Sequence, residues 1–490
     1  MKKTVLLMAV ASAFLLTACT SNDDALNNQG NQTASEKVGI GFDTYVTSGS
    51  SATTRGANAY DNFGPFTDTN MKDPAEGFGV FASFYDGNKK YQDLVDEGAV
   101  PAPNFMYNQN VTFDGTAWSY APLLYWPNQT SNTGVEGGQA DGQTGNNAMT
   151  DMLDRVSFFA YAPYQPTVSD QTEGLDKASG TVYDAEGNPK AVGVKTIISN
   201  TAAAVPQIQY VMGTEPRLSE DILWGVAPYG GTNYMAVNGM PIQINYGTSY
   251  IDMVKPAVNT KIKFLFQHAL TALKMSIQGA IDQVAGGGNI NANTKIYVNN
   301  VTLTSNSETV GFATSGTLSL LNRMNGNAQI PNLPNWSNLT SVPLVIGGNV
   351  AINPILQSPK DADGLYTAFT NAGVTGTEVG LFANNNAAAD VNEMLMFIPV
   401  LPDTYSFDAA DALNVTVEVN YDVVTESADV AGGQVKVNNV IRKNISLPKF
   451  RNGRIYKLKL ILGVTSVQFE AEAADWTTDA QDVELPRNLD

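Results

Sequence analysis

A period of two restricts this chain more than any other feature. Val415, Val417, Val419 and Tyr421 alternate with Thr416, Glu418 and Asn420, which puts one side chain of each pair on an apolar face and the next toward water. The same period recurs at Val38, Ile40, Phe42, Thr44 and Val46, at Ile262, Phe264 and Phe266, and at Leu273, Met275 and Ile277. It returns near the end at Tyr456, Leu458, Leu460 and Leu462. Between these lie wholly apolar runs closed by turn residues: Phe78 to Tyr85 before Asp86-Gly87-Asn88, Val156 to Ala162 before Pro163, and Met394 to Ile398 before Pro399. Such runs read as buried strands. His268-Ala269-Leu270 breaks one alternation, which predicts strand, a turn or bulge, then strand. There is no long amphipathic helix and no exact short repeat. Many short strands and turns specify stacked antiparallel sheets rather than a parallel βαβ sheet, so the expected class is all-β, made of β-sandwiches.

Composition agrees. The chain has 43 Gly, 23 Pro, 20 Phe and 20 Tyr, with only 15% charged residues, a mixture suited to strands joined by turns. Its 490 residues are enough for two or three domains with sizeable cores. A composition shift between residues 250 and 260 sets the expected joint, giving an N-terminal sandwich over residues 37–258 and a C-terminal one over 259–490. The Gly/Asn/Gln-rich stretch from Asn128 to Asn147 has no apolar period and reads as a surface insertion.

The N-terminus carries an address. Lys2 and Lys3 precede an apolar core from Val5 to Leu16, and Thr17-Ala18 lead into Cys19, the single cysteine of the chain. A basic start, a short apolar core and small residues define a secretory signal over residues 1–18. The core is short for a permanent membrane span. A cysteine in that place is the lipid-bearing position of a bacterial lipobox, and the alternative is an ordinary secretory signal with a chance cysteine. Lipidation of Cys19 leaves no thiol for a disulfide, so packing alone holds an exported protein together. Residues 19–36 read as a polar tether, whose pair Asp23-Asp24 is either a surface-export signal or plain solvated linker. Loss of Lys2 and Lys3 takes the formal charge from −19 to −21. That argues against binding nucleic acid or anionic lipid by charge, and leaves the lipid as the attachment to the outer membrane.

After the first strand (residues 37–46) comes the flexible polar run Thr47 to Thr54, ending in Arg55-Gly56. Arg55 is the first arginine in the chain, placed where a trypsin-like protease has access. On residues alone, an ordinary solvated arginine is the other reading.

Residues that carry chemistry are scarce. One histidine, His268, lies in the apolar stretch Phe264 to Leu270 and reads as a hydrogen-bonded core residue. A three-histidine zinc site is excluded by count. Gly286-Gly287-Gly288 lacks the Lys-Ser/Thr of a phosphate loop, and no acidic calcium loop is present. Two carboxylates would suffice for a glycosidase, but the nearest candidate, Asp475-Trp476, is equally the end of a core strand. The expectation is a protein with no catalytic residue, no metal and no cofactor.

Taken in order, the segments resemble the fimbrillins, subunits of the type V fimbriae of Bacteroidales. The resemblance rests on the lipobox from Leu16 to Cys19, and on the strand Val38 to Val46 followed by Thr53-Thr54-Arg55-Gly56. It rests further on Phe78-Gly79-Val80-Phe81-Ala82, Tyr125-Trp126-Pro127, Val156 to Pro163, Phe266-Gln267-His268-Ala269-Leu270, and the block from Tyr456 to Trp476. It implies two transthyretin-like β-sandwich domains in tandem and a cell-surface fimbrial subunit that contributes to adhesion. Its partners would be other subunits and a surface receptor. It also implies assembly by strand exchange: cleavage after Arg55 makes Gly56 the new N-terminus and frees the first strand, and a neighbour's strand fills the groove. Val38, Ile40, Phe42 and Val46 would then be the pocket fillers, and Val483 with Leu485 a candidate donor. The alternative is a surface glycan-binding lipoprotein of a polysaccharide-uptake system, motivated by the aromatic residues and the anchor.

Overall fold

In the computed structural model, the described residues are mainly 38–46, 68–74, 76–85, 89–127, 154–165, 205–212, 221–228, 247–256, 261–279, 294–305, 311–321, 333–347, 360–366, 378–381, 394–400, 412–448, 452–462 and 467–475, with a few short strands between them. All of these lie in the second of the chain's two compact units, Val38–Asp490. The signal, the tether, Cys19, Arg55, Gly56, the insertion from Asn128 to Asn147, Trp476, Val483 and Leu485 lie outside the described residues.

The architecture is all-β. An eight-stranded sheet runs in the order Gly41–Val46, Lys261–His268, Leu223–Val226, Arg155–Ala162, Phe78–Tyr85, Met106–Phe113 and Trp118–Ser119, with Tyr250–Met253 also paired to Arg155–Ala162. A six-stranded sheet contains Gly311–Ala313, Met394–Val400, Thr271–Gly279, Arg454–Leu462 and Val467–Asp475 in that order, with Val379–Gly380 beside Thr271–Gly279. A four-stranded sheet of Leu344–Gly347, Thr294–Ser305, Ala412–Glu426 and Gln434–Pro448 contains the strand read from the alternation at Val415 to Tyr421, here one arm of a long hairpin.

Burial explains the two kinds of strand in the sequence. Arg155–Ala162 and Met394–Val400 are buried on both faces along almost their whole length, so both faces are apolar and no alternation survives. On one face of the eight-stranded sheet lie Phe42, Phe78, Val80, Phe158, Ala160, Phe264 and Phe266. The other face contributes Phe81, Phe159, Tyr161, Trp224 and Leu265 to a core that runs on without a break through Leu273, Met275, Phe397, Val417 and Leu458.

The chain changes sheets at Ala269–Leu270, between Lys261–His268 and Thr271–Gly279. That is the break read at His268-Ala269-Leu270, and four of its backbone groups are hydrogen-bonded to other segments. The Ala269 N–H donates to Ile222 O at 2.8 Å and the Gly453 N–H to Leu270 O at 2.7 Å. Trp336 Nε1 donates to Ala269 O at 3.2 Å and Asn452 Nδ2 to His268 O at 2.8 Å. The change of sheet therefore falls about ten residues beyond the expected joint at 258/259, because Lys261–His268 completes the first sheet. The halves also share a sheet: Gln207–Val211 pairs with Ser315–Ser319.

Close packing sets a test on the central strands. A Cβ on Gly79 would sit 2.3 Å from Tyr161 Cε1 and 2.8 Å from Asn108 Oδ1, and the Tyr161 hydroxyl already donates to that oxygen at 2.8 Å. Gly79→Ala is expected to lower stability by about 1–3 kcal/mol through overpacking, read as a shift of the urea midpoint at unchanged slope.

Candidate functional site

The opening strand is held like an insert. Gly41–Val46 pairs in parallel with Lys261–His268, in the register Gly41 to Lys261, Phe42 to Ile262, Thr44 to Phe264 and Val46 to Phe266. Just before it, residues 38–40 face the opposite neighbour: the Ile40 N–H donates to Leu124 O and the Trp126 N–H to Val38 O, both at 2.9 Å, with an antiparallel bridge between Gly39 and Tyr125. The Tyr120 hydroxyl donates to Ile40 O at 2.8 Å. Burial is the main cause that pushes the Tyr120 phenol up to about 12, so it keeps its proton for this bond. The first strand thus bridges Lys261–His268 on one side and the segment 120–126 on the other.

Its inward side chains fill an aromatic pocket. Ile40 and Phe42 are 1% exposed and Val46 is 7% exposed, while Val38 packs half-buried against the same core. The Phe42 ring lies 5.5 Å from Tyr120, 6.0 Å from Phe264, 6.1 Å from Phe78 and 6.3 Å from Phe158, distances at which edge-on and stacked pairs add to burial. All four residues assigned from the sequence as pocket fillers come together here. Thr44 is buried with them and was not among the four, because a hydroxyl gives no apolar signal. The segment 120–126 was also missed as a clamp. Its aromatics read as strand in the sequence, but apart from the bridge at Tyr125 residues 120–126 form no strand, and nothing local says which strand they grip.

The other sequence candidates find structural roles. His268 Nδ1 lies 2.6 Å from Asp221 Oδ2, with both side chains almost wholly buried, which suits the hydrogen-bonded core histidine read from the sequence. Among the described residues no three His, Cys, Asp or Glu side chains gather as a metal site, and no helix is long and apolar enough to cross a membrane. Trp126 and Trp224 are buried, and Trp118 and Trp336 are half-buried against the cores. None of these four stands out as an exposed sugar-stacking platform.

No family model matches the chain. It is 22% identical over 486 residues, 97% of each chain, to a protein of Phocaeicola vulgatus named fimbrium subunit Fim1C. In structure it is similar to a fimbrial protein from Bacteroides vulgatus, with 18% identity, 90% of this chain and 100% of that chain covered, and a TM-score of 0.46. Over nearly its whole length the chain is therefore similar to a fimbrial subunit, in keeping with the resemblance read from its motifs.

The pocket gives a second test. Phe42→Ala removes a ring that touches four others and is expected to cost about 3–5 kcal/mol, measured by urea unfolding of the uncut protein. A loss under 1 kcal/mol would mean that the first strand adds little to the fold.

Proposed function

We propose that this chain is a structural subunit of a cell-surface fimbria, contributing to adhesion, that reaches the outer membrane as a lipoprotein on Cys19 and joins its neighbours by strand exchange. The observation that carries this reading is the way the first strand is held. It is the terminal strand of its sheet, paired in parallel with Lys261–His268, and its buried side chains come from one short segment that ends nine residues before Arg55.

The physics follows from what removal leaves. Cleavage after Arg55 detaches residues 38–46 from the rest of the chain, so the strand is then held by noncovalent contacts alone. Each fully buried apolar side chain it contributes is worth about 1.5–3 kcal/mol. Its loss exposes the aromatic pocket and the backbone groups of Lys261–His268, an open edge that templates another strand. A strand from a second subunit satisfies both. The segment after Trp476, with Val483 and Leu485, is the donor in this reading. The fold is read as two transthyretin-like sandwiches in tandem, and the acidic surface keeps uncut copies apart.

The test is cleavage of the purified protein by an arginine-specific protease. Uncut protein is expected to remain monomeric, the product cut at Arg55 to form polymers that survive heating in detergent, and Arg55→Ala to remain monomeric under the same treatment. Polymers from the Arg55→Ala protein, or monomers from the cut one, would overturn strand exchange through this groove. Mapping the N-terminus of the surface protein tests the address: a start at lipidated Cys19 means a retained anchor, and a start at Gly56 a processed subunit.

A further inference from the structure

When the opening strand leaves the groove, a carboxylate leaves with it. In the parallel register Asp43 lies opposite Lys263 and Gly41 opposite Lys261. These residues alternate with the buried Ile40, Phe42 and Thr44 and so share the opposite face of the sheet, at the end where that face is not fully covered. Lys261 is exposed and Lys263 half-buried. Burial pushes the Lys263 ammonium below the ordinary lysine range; Asp43 acts against that shift, and Lys261 adds to it. A groove emptied of its first strand therefore leaves a half-buried cation next to a second cation and without its counter-charge, an unfavourable arrangement that an incoming carboxylate relieves.

The end of the chain holds the complement. Asp482-Val483-Glu484-Leu485 alternates acid and apolar side chains, and its two acids have the same spacing as Lys261 and Lys263. With Val483 in the place of Phe42 and Leu485 in that of Thr44, Asp482 stands opposite Lys261 and Glu484 opposite Lys263. Sliding the strand by two residues to put Leu485 in the place of Phe42 would set Pro486 opposite Lys263, which brings no charge. In the register chosen, Pro486 falls opposite Leu265 and Arg487 takes the place of Val46 at the end of the pocket, so the match rests on positions 41 to 44. At the position of Gly41 an added Cβ would lie 3.2 Å from Lys261 Cγ, a contact relieved by a shift of a few tenths of an ångström in that long side chain.

We propose that Lys263 is the specificity-determining residue of the groove, selecting an incoming strand with a carboxylate where Asp43 stood, and that Glu484 of a second copy supplies it. The inference rests on the strand-exchange reading above and adds to it the register and the charge rule.

Charge reversal tests it. Lys263→Glu alone would face Asp43 before cleavage, so the acceptor is made as D43K/K263E, which keeps opposite charges in the uncut protein and loses position 43 with the cut strand. Uncut variants are first compared by thermal unfolding, and polymer growth is followed by light scattering after cleavage at Arg55. D43K/K263E is expected to polymerise about tenfold more slowly than the natural sequence, and D43K/K263E/E484K to recover to within about threefold of it. K263Q, which removes the charge without reversing it, is expected to fall between the natural sequence and D43K/K263E and serves if the reversed variant fails to fold. Growth of D43K/K263E or K263Q at the natural rate overturns charge selection and leaves strand exchange standing. Slow growth that E484K does not rescue overturns Glu484 as the partner. If the natural sequence does not polymerise once cut, strand exchange fails and the charge rule fails with it.

Discussion

Lys261–His268 is the strand on which the rest of the molecule depends. Phe264 and Phe266 point into the aromatic pocket beneath the opening strand, while Leu265 points into the continuous core on the other face. Its edges pair with Gly41–Val46 and Leu223–Val226, and its C-terminal end feeds through Ala269–Leu270 into the six-stranded sheet. A strand buried on both faces from Phe264 onward and paired on both edges is among the costliest places to disturb. On the strand-exchange reading, the opening strand is the part that leaves and Lys261–His268 the support that stays.

That division suits a chain without disulfides. Its one cysteine is Cys19, so stiffness comes from packed rings: Phe42, Phe78, Phe264 and Phe266 form a chain of edge-on, tilted and stacked contacts with centroids 5.3 to 6.3 Å apart. Polar groups at the sheet crossing are tied down as well, by Asp221 to His268 and by Asn452 to the His268 carbonyl. Directional bonds fix where the chain turns, and apolar burial supplies most of the stability.

Much of this is legible in the sequence, for physical reasons that also set the limit. Alternation at Val38 to Val46 announces a half-buried strand and names Ile40, Phe42 and Val46 as its inner face, because the strand is buried on one side only. It does not announce the parallel partner, since the side chains of an edge strand look the same whichever neighbour they lie beside. The run Val156 to Ala162 reads as buried but not as central, because burial on both faces erases the period that would orient it. Least legible is the pairing of Gln207–Val211 with Ser315–Ser319, two segments more than a hundred residues apart. Thr44 and the clamp at 120–126 escaped for a related reason: their role is to fit a neighbour, and local sequence records only solvent.

The parallel pairing of the first strand has one more consequence. A guest that takes over the register of Gly41–Val46 must run the same way as Lys261–His268, because a reversed strand would need the different hydrogen-bond pattern of an antiparallel ladder. Every junction built in this way repeats one orientation, and the contact is heterologous, with different surfaces on its two sides. A string of such subunits has two unlike ends: one offers an empty groove and the other an unused strand. On the strand-exchange reading, the polarity of the fibre follows from the direction of six residues.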